Sequence, residues 1–112
     1  MPKSDSLESE QLTDATYYIL LSLVQERHGY AIMQYVNDMT NNQFNLGPAT
    51  LYTLLKKLDE SGYIKQTESM DRKKTYILTE KGKILLEKEL DRREKMVQHG
   101  REILQGELTP CF

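Results

Sequence analysis

The residues with the clearest chemical potential lie between Pro48 and Lys57. Leu51, Leu54, Leu55 and Leu58 recur at i, i+3, i+4 and i+7, the spacing of one helical face. Ala49, Thr50, Tyr52, Thr53, Lys56 and Lys57 are left on the other faces. That outward set holds no acid, although 17 of the 112 residues are Asp or Glu. Small side chains near a helix start permit close approach to a groove, hydroxyls exchange hydrogen bonds with base edges, and cations meet phosphates. The helix N-terminus adds unpaired backbone N–H groups that favour anions. Arg72, Lys73 and Lys74 form a second run of cations, and each phosphate they neutralise would steepen the salt dependence of binding. A solvated helix face or a solvated loop tip accounts for either group alone. Together, in this order, they point to a nucleic acid.

Other chemistries lack their residues. His28 precedes a glycine and His99 sits in a polar stretch, and neither has a Cys or carboxylate at zinc-finger or HExxH spacing. Cys111 is the single cysteine, so no intrachain disulfide is expected and no Cys/His pair is formed in sequence. Glycine-rich phosphate loops, GxSxG and paired-carboxylate patterns are missing. An enzyme, a metal site and a resident cofactor are therefore not expected. Tyr17, Tyr18 and Tyr35 alternate with apolar residues and read as core or interface fillers.

The elements that must position these groups follow from periodicity. Thr13 caps a first helix with Asp14 in its first turn, where the macrodipole favours negative charge. Its apolar residues, Ala15 to Val24, are too dense for one stripe, and it should stop near Arg27. Ile32, Met33, Val36 and Met39 mark a second helix. The third opens at Gly47-Pro48, where proline is tolerated, and stops before Gly62. Tyr63-Ile64 and Tyr76-Ile77-Leu78 then flank the polar run from Glu68 to Lys74, which predicts a hairpin. Thr79 caps a fourth helix running to about Gln105. Along it Leu86, Leu90, Val97 and Leu104 form a thin seam, with Arg93 and Gly100 at the intervening positions. Such a strip cannot be covered within so small a domain, and a homodimer interface is the economical explanation. The class predicted is mainly α with a small β-hairpin: a winged helix-turn-helix plus a long C-terminal dimerisation helix. The divisions are a flexible arm over 1–11, the winged helix over 12–78, the dimerisation helix over 79–106 and a tail over 107–112.

Composition bounds the rest. A chain of 112 residues with 38% hydrophobic content suits one small domain. Residues 1–55 hold two cations against six acids, and residues 56–112 hold thirteen against eleven, so −4 and +2 give the net −2. The sequence pI of about 5.7 is far from the basic values usual in nucleic-acid-binding domains, so only a local basic surface is admissible. This low pI favours, to a small degree, a different reading: a winged-helix module that docks proteins and does not read DNA. That reading predicts an apolar or acidic outer face on the third helix, where Lys56 and Lys57 stand instead. Apolar runs fall short of the roughly 18–20 residues of a membrane span, and Met1 to Gln11 hold three acids with no apolar block. No membrane partner and a cytoplasmic location are expected.

Leu12-Thr13, Tyr18-Ile19-Leu20-Leu21, His28-Gly29-Tyr30, Gly47-Pro48-Ala49-Thr50-Leu51-Tyr52, Leu58-Asp59-Glu60-Ser61-Gly62-Tyr63-Ile64 and Tyr76-Ile77-Leu78-Thr79-Glu80-Lys81-Gly82 occur in a distinctive order. This ordered set resembles the PadR family of bacterial transcriptional regulators, over about residues 12–104. The resemblance implies a dimeric repressor that binds inverted repeats, a pseudo-palindromic DNA operator, and it is to the short subfamily with a single C-terminal helix. It implies that Thr50, Tyr52 and Lys56 contact the operator with Ala49 and Thr53 close by, and that Arg72, Lys73 and Lys74 form the wing. Gly29 would permit a tight start to the second helix, and Tyr30 would reach a phosphate.

Some similar short members sense flat drugs between paired tryptophans at the dimer centre. This chain has no tryptophan, and the matching position falls on Arg93, flanked by Leu90 and Val97. Arg93 from two subunits would suit a small aromatic or anionic effector, because guanidinium both stacks and pairs with carboxylate. The competing expectation is an ion pair between Arg93 and Glu89, or an acid of the partner.

Overall fold

The computed structural model describes residues 11–68 and 73–107. Its elements run α1 (Asp14–Ser22), β1 (Arg27–His28), α2 (Gly29–Met39), α3 (Pro48–Glu60), β2 (Ile64–Glu68), β3 (Lys74–Leu78) and α4 (Glu80–Glu107). Three short helices pack around one core, a small antiparallel sheet closes one side, and α4 leaves the far end. This is the winged helix-turn-helix arrangement, mainly helical, with a long terminal helix.

Local chemistry accounts for most boundaries. Thr13 caps α1, its hydroxyl accepting from Thr16 N at 3.2 Å. The helix stops at Ser22, five residues before the expected Arg27, because the next groups have partners elsewhere. Arg27 Nε donates to Ser22 O at 2.7 Å, and Leu23 O accepts from Leu78 N at 2.9 Å. A further helical turn would forfeit both. His28 caps α2 with Nδ1 accepting from Ala31 N at 3.4 Å. Pro48 begins α3 after Gly47, as its missing N–H permits. Past the end of α3, Gly62 adopts φ +84°, and Tyr63 N closes on Leu58 O at 3.0 Å.

The sheet has three strands in the order β1-β3-β2, not the two of the expected hairpin. β3 pairs with β2 from Ile64↔Leu78 to Glu68↔Lys74, and its other edge pairs Arg27↔Tyr76 and His28↔Thr75. Outside the ladder, Glu26 accepts hydrogen bonds from Thr67 and, at 2.6 Å, from Thr75. These bonds, from Thr67 first and Thr75 second, hold the Glu26 carboxyl below its usual pKa. An acid just before β1 thus ties both wing strands to the helical body.

The core is continuous. Ile19, Leu20 and Leu23 meet Ile32 and Val36 of α2, Leu51, Leu55 and Leu58 of α3, and Ile64 and Tyr76 of the sheet. Each leucine buried from α3 contributes roughly 1.5–3 kcal/mol, and together they fix which face of that helix remains outside. Leu85 and Leu86 seat the first turns of α4 on the same core.

Candidate nucleic-acid interface

The apolar face of α3 is spent on the core, so its rotation is settled. Leu51, Leu55 and Leu58 are buried and Leu54 is half-buried. Ala49, Thr50, Tyr52, Thr53, Lys56 and Lys57 are all exposed. Asp59 and Glu60 form the acidic end of the helix, leaving its first eleven residues free of negative charge. Asp59 Oδ2 accepts from Gln66 Nε2 at 3.3 Å, which turns that acid toward the wing.

Between the start of α2 and the wing lies an open cleft of about 470 Å³, lined by Gly29, Tyr30, Tyr52, Lys73, Lys74 and Tyr76 among others. Two expected groups meet here: the tyrosines of α2 and α3, and the cations of the wing. Lys73 and Lys74 are exposed, while Arg72 lies outside the described residues. Tyr76 is buried at the side of the cleft. Burial, then the nearby Tyr52 and Asp59, push its hydroxyl pKa up, so it remains a neutral donor. With a hydroxyl-bearing helix face beside a cationic cleft, the surface can receive a polyanion on one flank and read groove edges on the other.

The α4 residues divide. Leu86 is 7% exposed and belongs to the core of its own chain, whereas Leu90, Val97 and Leu104 are exposed. Residues 94–105 are exposed without interruption, and Met96 and Ile103 add to the uncovered apolar surface. Arg93 is turned inward, toward α1. Its Nε donates to Glu89 Oε2 at 2.6 Å, Nη1 reaches Asp14 Oδ1 at 3.0 Å, and Nη2 donates to Leu12 O at 3.0 Å. The same guanidinium lies 4.3 Å over the Tyr17 ring. Among the two expectations for Arg93, the geometry has the Glu89 pair within one chain; an anionic effector would have to displace it. Among the described residues no cluster of three or more His, Cys, Asp or Glu is gathered for a metal ion, and no helix is long and apolar enough to cross a membrane.

A model of the transcriptional regulator PadR-like family matches residues 19–88. The chain belongs to the PadR-like family of transcriptional regulators. The match runs from the middle of α1 through the wing to the first turns of α4, so it contains every described residue of the interface. Among related proteins of this PadR-like chain is an uncharacterized protein of Lysinibacillus sphaericus, 33% identical over 70 residues. The aligned region covers 59% of this chain and 64% of that relative, so the chain spans just under two thirds of its length. The PadR of Bacillus subtilis, solved in complex with operator DNA, is 30% identical with a TM-score of 0.63. It covers 70% of this chain, which in turn spans 47% of that protein. A transcriptional regulator of Clostridium thermocellum shares the fold at 20% identity and TM-score 0.66, covering 88% of this chain and 94% of its own.

Two features of the PadR-like site escaped the sequence. One is β1, whose two residues carry no periodicity. The other is the reason for Gly29, which does not adopt a positive φ; a side chain there would strike Tyr52. The only sequence signal was the His28-Gly29-Tyr30 triplet itself.

Proposed function

We propose that this chain is a homodimeric, sequence-specific DNA-binding regulator, a repressor released by a small effector. The observation that carries the reading is the exposed face of α3, which from Ala49 to Lys57 is rich in hydroxyls and cations and holds no acid. Likeness to the B. subtilis PadR, solved in complex with operator DNA, supports DNA as the partner. Thr50, Thr53 and Ala49 serve the groove edge, Lys56 and Lys57 the flanking phosphates, and Lys73, Lys74 and Arg72 the neighbouring backbone.

The uncovered second half of α4 supports the dimer. At 1.5 Å per residue the 28-residue helix is about 42 Å long, and residues 94–105 of its second half stand exposed among the described residues. Pairing Leu90, Val97 and Leu104 across two subunits buries that surface. It also sets two α3 helices about one helical turn of DNA, or a multiple, apart, so the operator is a pseudo-palindrome. Release then acts through α4, where an effector that binds the non-operator geometry better shifts the equilibrium away from DNA.

Selection of bound duplexes from random DNA tests the reading. Recovery of a two-fold-symmetric site supports it. Failure to enrich any sequence, with retention of no duplex at low salt, sinks it.

A further inference from the structure

Gly29 opens α2, and an ideal Cβ built on it would fall 2.1 Å from Tyr52 Oη, 2.7 Å from Cζ and 3.0 Å from Cε1. The outer edge of the Tyr52 ring therefore lies on the backbone of α2, in space that any other residue would fill. No strained backbone angle demands glycine at this place; the close approach does. The ring belongs to α3 but its hydroxyl sits on the α2 side, in the cleft that also holds Tyr30, Lys73 and Lys74. Buried Tyr76 lines the same cleft, so a side chain on Gly29 would push the ring off its seat on α2.

We propose that Gly29 is a positioning residue: its missing side chain seats Tyr52 so that the hydroxyl meets the backbone of a DNA strand beside the wing. This deepens the DNA-binding reading and rests on it. Tyr52 then contributes affinity without base discrimination, which falls to Ala49, Thr50 and Thr53. A hydroxyl donating to a phosphate is a hydrogen bond to a charged group, and its loss costs about tenfold in affinity.

The test uses the full chain and a labelled duplex selected from random DNA by the wild type, with a scrambled duplex alongside. Gly29→Ala is expected to weaken both duplexes by about tenfold, while far-UV circular dichroism stays unchanged. In the Tyr52→Phe background, Gly29→Ala is expected to add less than about twofold, as two changes acting through one group do not add. The ring signals of 13C-labelled Tyr52 are expected to shift in Gly29→Ala, which reports the seating without DNA. Three binding results overturn the proposal: unaltered binding in Gly29→Ala, losses that multiply in the double variant, or a loss confined to the selected duplex. Unmoved Tyr52 signals also overturn it. If the wild type binds no duplex at all, the functional reading fails instead, and the ring signals still decide the seating.

Discussion

Arg93 and Glu89 lie one turn apart on α4, and the bond from Arg93 Nε to Glu89 Oε2 is 2.6 Å long. The Glu89 side chain is fully buried, yet it is surrounded by donors. Arg92 reaches it at 2.7 and 3.1 Å, and Leu12 N, 77 residues away in sequence, at 3.4 Å. Burial pushes the carboxyl pKa up, but the bonds from Arg92, Arg93 and Leu12 outweigh it and hold Glu89 ionised below the usual range. With Arg93 also on Asp14 and Leu12 O, the network pins the long helix to the start of α1. The two recognition surfaces of a dimer would inherit their angle from this joint.

Glu89→Gln is expected to destabilise the fold by about 2 kcal/mol at neutral pH. That is less than the roughly 3–5 of a fully buried pair, because the Arg92 and Arg93 side chains keep 28% and 27% exposure. An unfolded glutamate titrates near 4.3, and the folded group titrates lower. The contribution is therefore complete above the unfolded value and is lost as pH falls through the folded one. Urea denaturation of both proteins between neutral and acidic pH should show the gap close on acidification. A gap that stays constant contradicts the assignment.

Gly82→Ala should damage the fold itself. A Cβ there would lie 2.0 Å from Tyr63 O and 2.9 Å from Tyr63 C, both backbone atoms. Tyr63 O also accepts from Thr79 N at 3.0 Å, at the cap of α4. Separation of α4 from the end of α3 is the expected result, at a cost of about 1–3 kcal/mol or more. Thermal unfolding within a degree of wild type would show that the helix shifts freely.

Lys56→Ala should lower the slope of log affinity against log salt by about one unit, because one phosphate contact is lost. Thr50→Val should instead flatten the preference for the selected duplex at unchanged slope. Fluorescence anisotropy at several salt concentrations separates the two. An identical slope in Lys56→Ala removes that residue from the backbone contacts.

A charge on the exposed seam should split the dimer. Leu104 is 66% exposed in a single chain, so Leu104→Asp costs the monomer little while leaving a buried, unpaired carboxylate in a paired α4. Sedimentation should show dimeric wild type and a monomeric variant with intact helicity. Dimers persisting in Leu104→Asp and Val97→Asp would place the interface elsewhere.

The third helix was legible in advance because two local rules coincide there: leucines at helical spacing, and proline and glycine at its ends. The same holds for the caps at Thr13 and Thr79, whose hydroxyls accept from Thr16 N and Gly82 N. Leu86 was less legible. Its place in the seam pattern is the same as that of Leu90, and only the approach of the core to the first turns of α4 separates them. Arg93 shows the converse, since i, i+4 spacing announces Glu89 but says nothing of Leu12 and Asp14.

From the chain alone came the order of the four helices and the hairpin, the face α3 would bury and the residues it would leave outside, because these depend on neighbours within a turn or two. The third strand, the early end of α1, the seat of Tyr52 on Gly29 and the burial of Glu89 were decided by tertiary structure. Each joins groups remote in sequence, and their partners are chosen by leftover backbone hydrogen bonds and by unoccupied space, which no local period records.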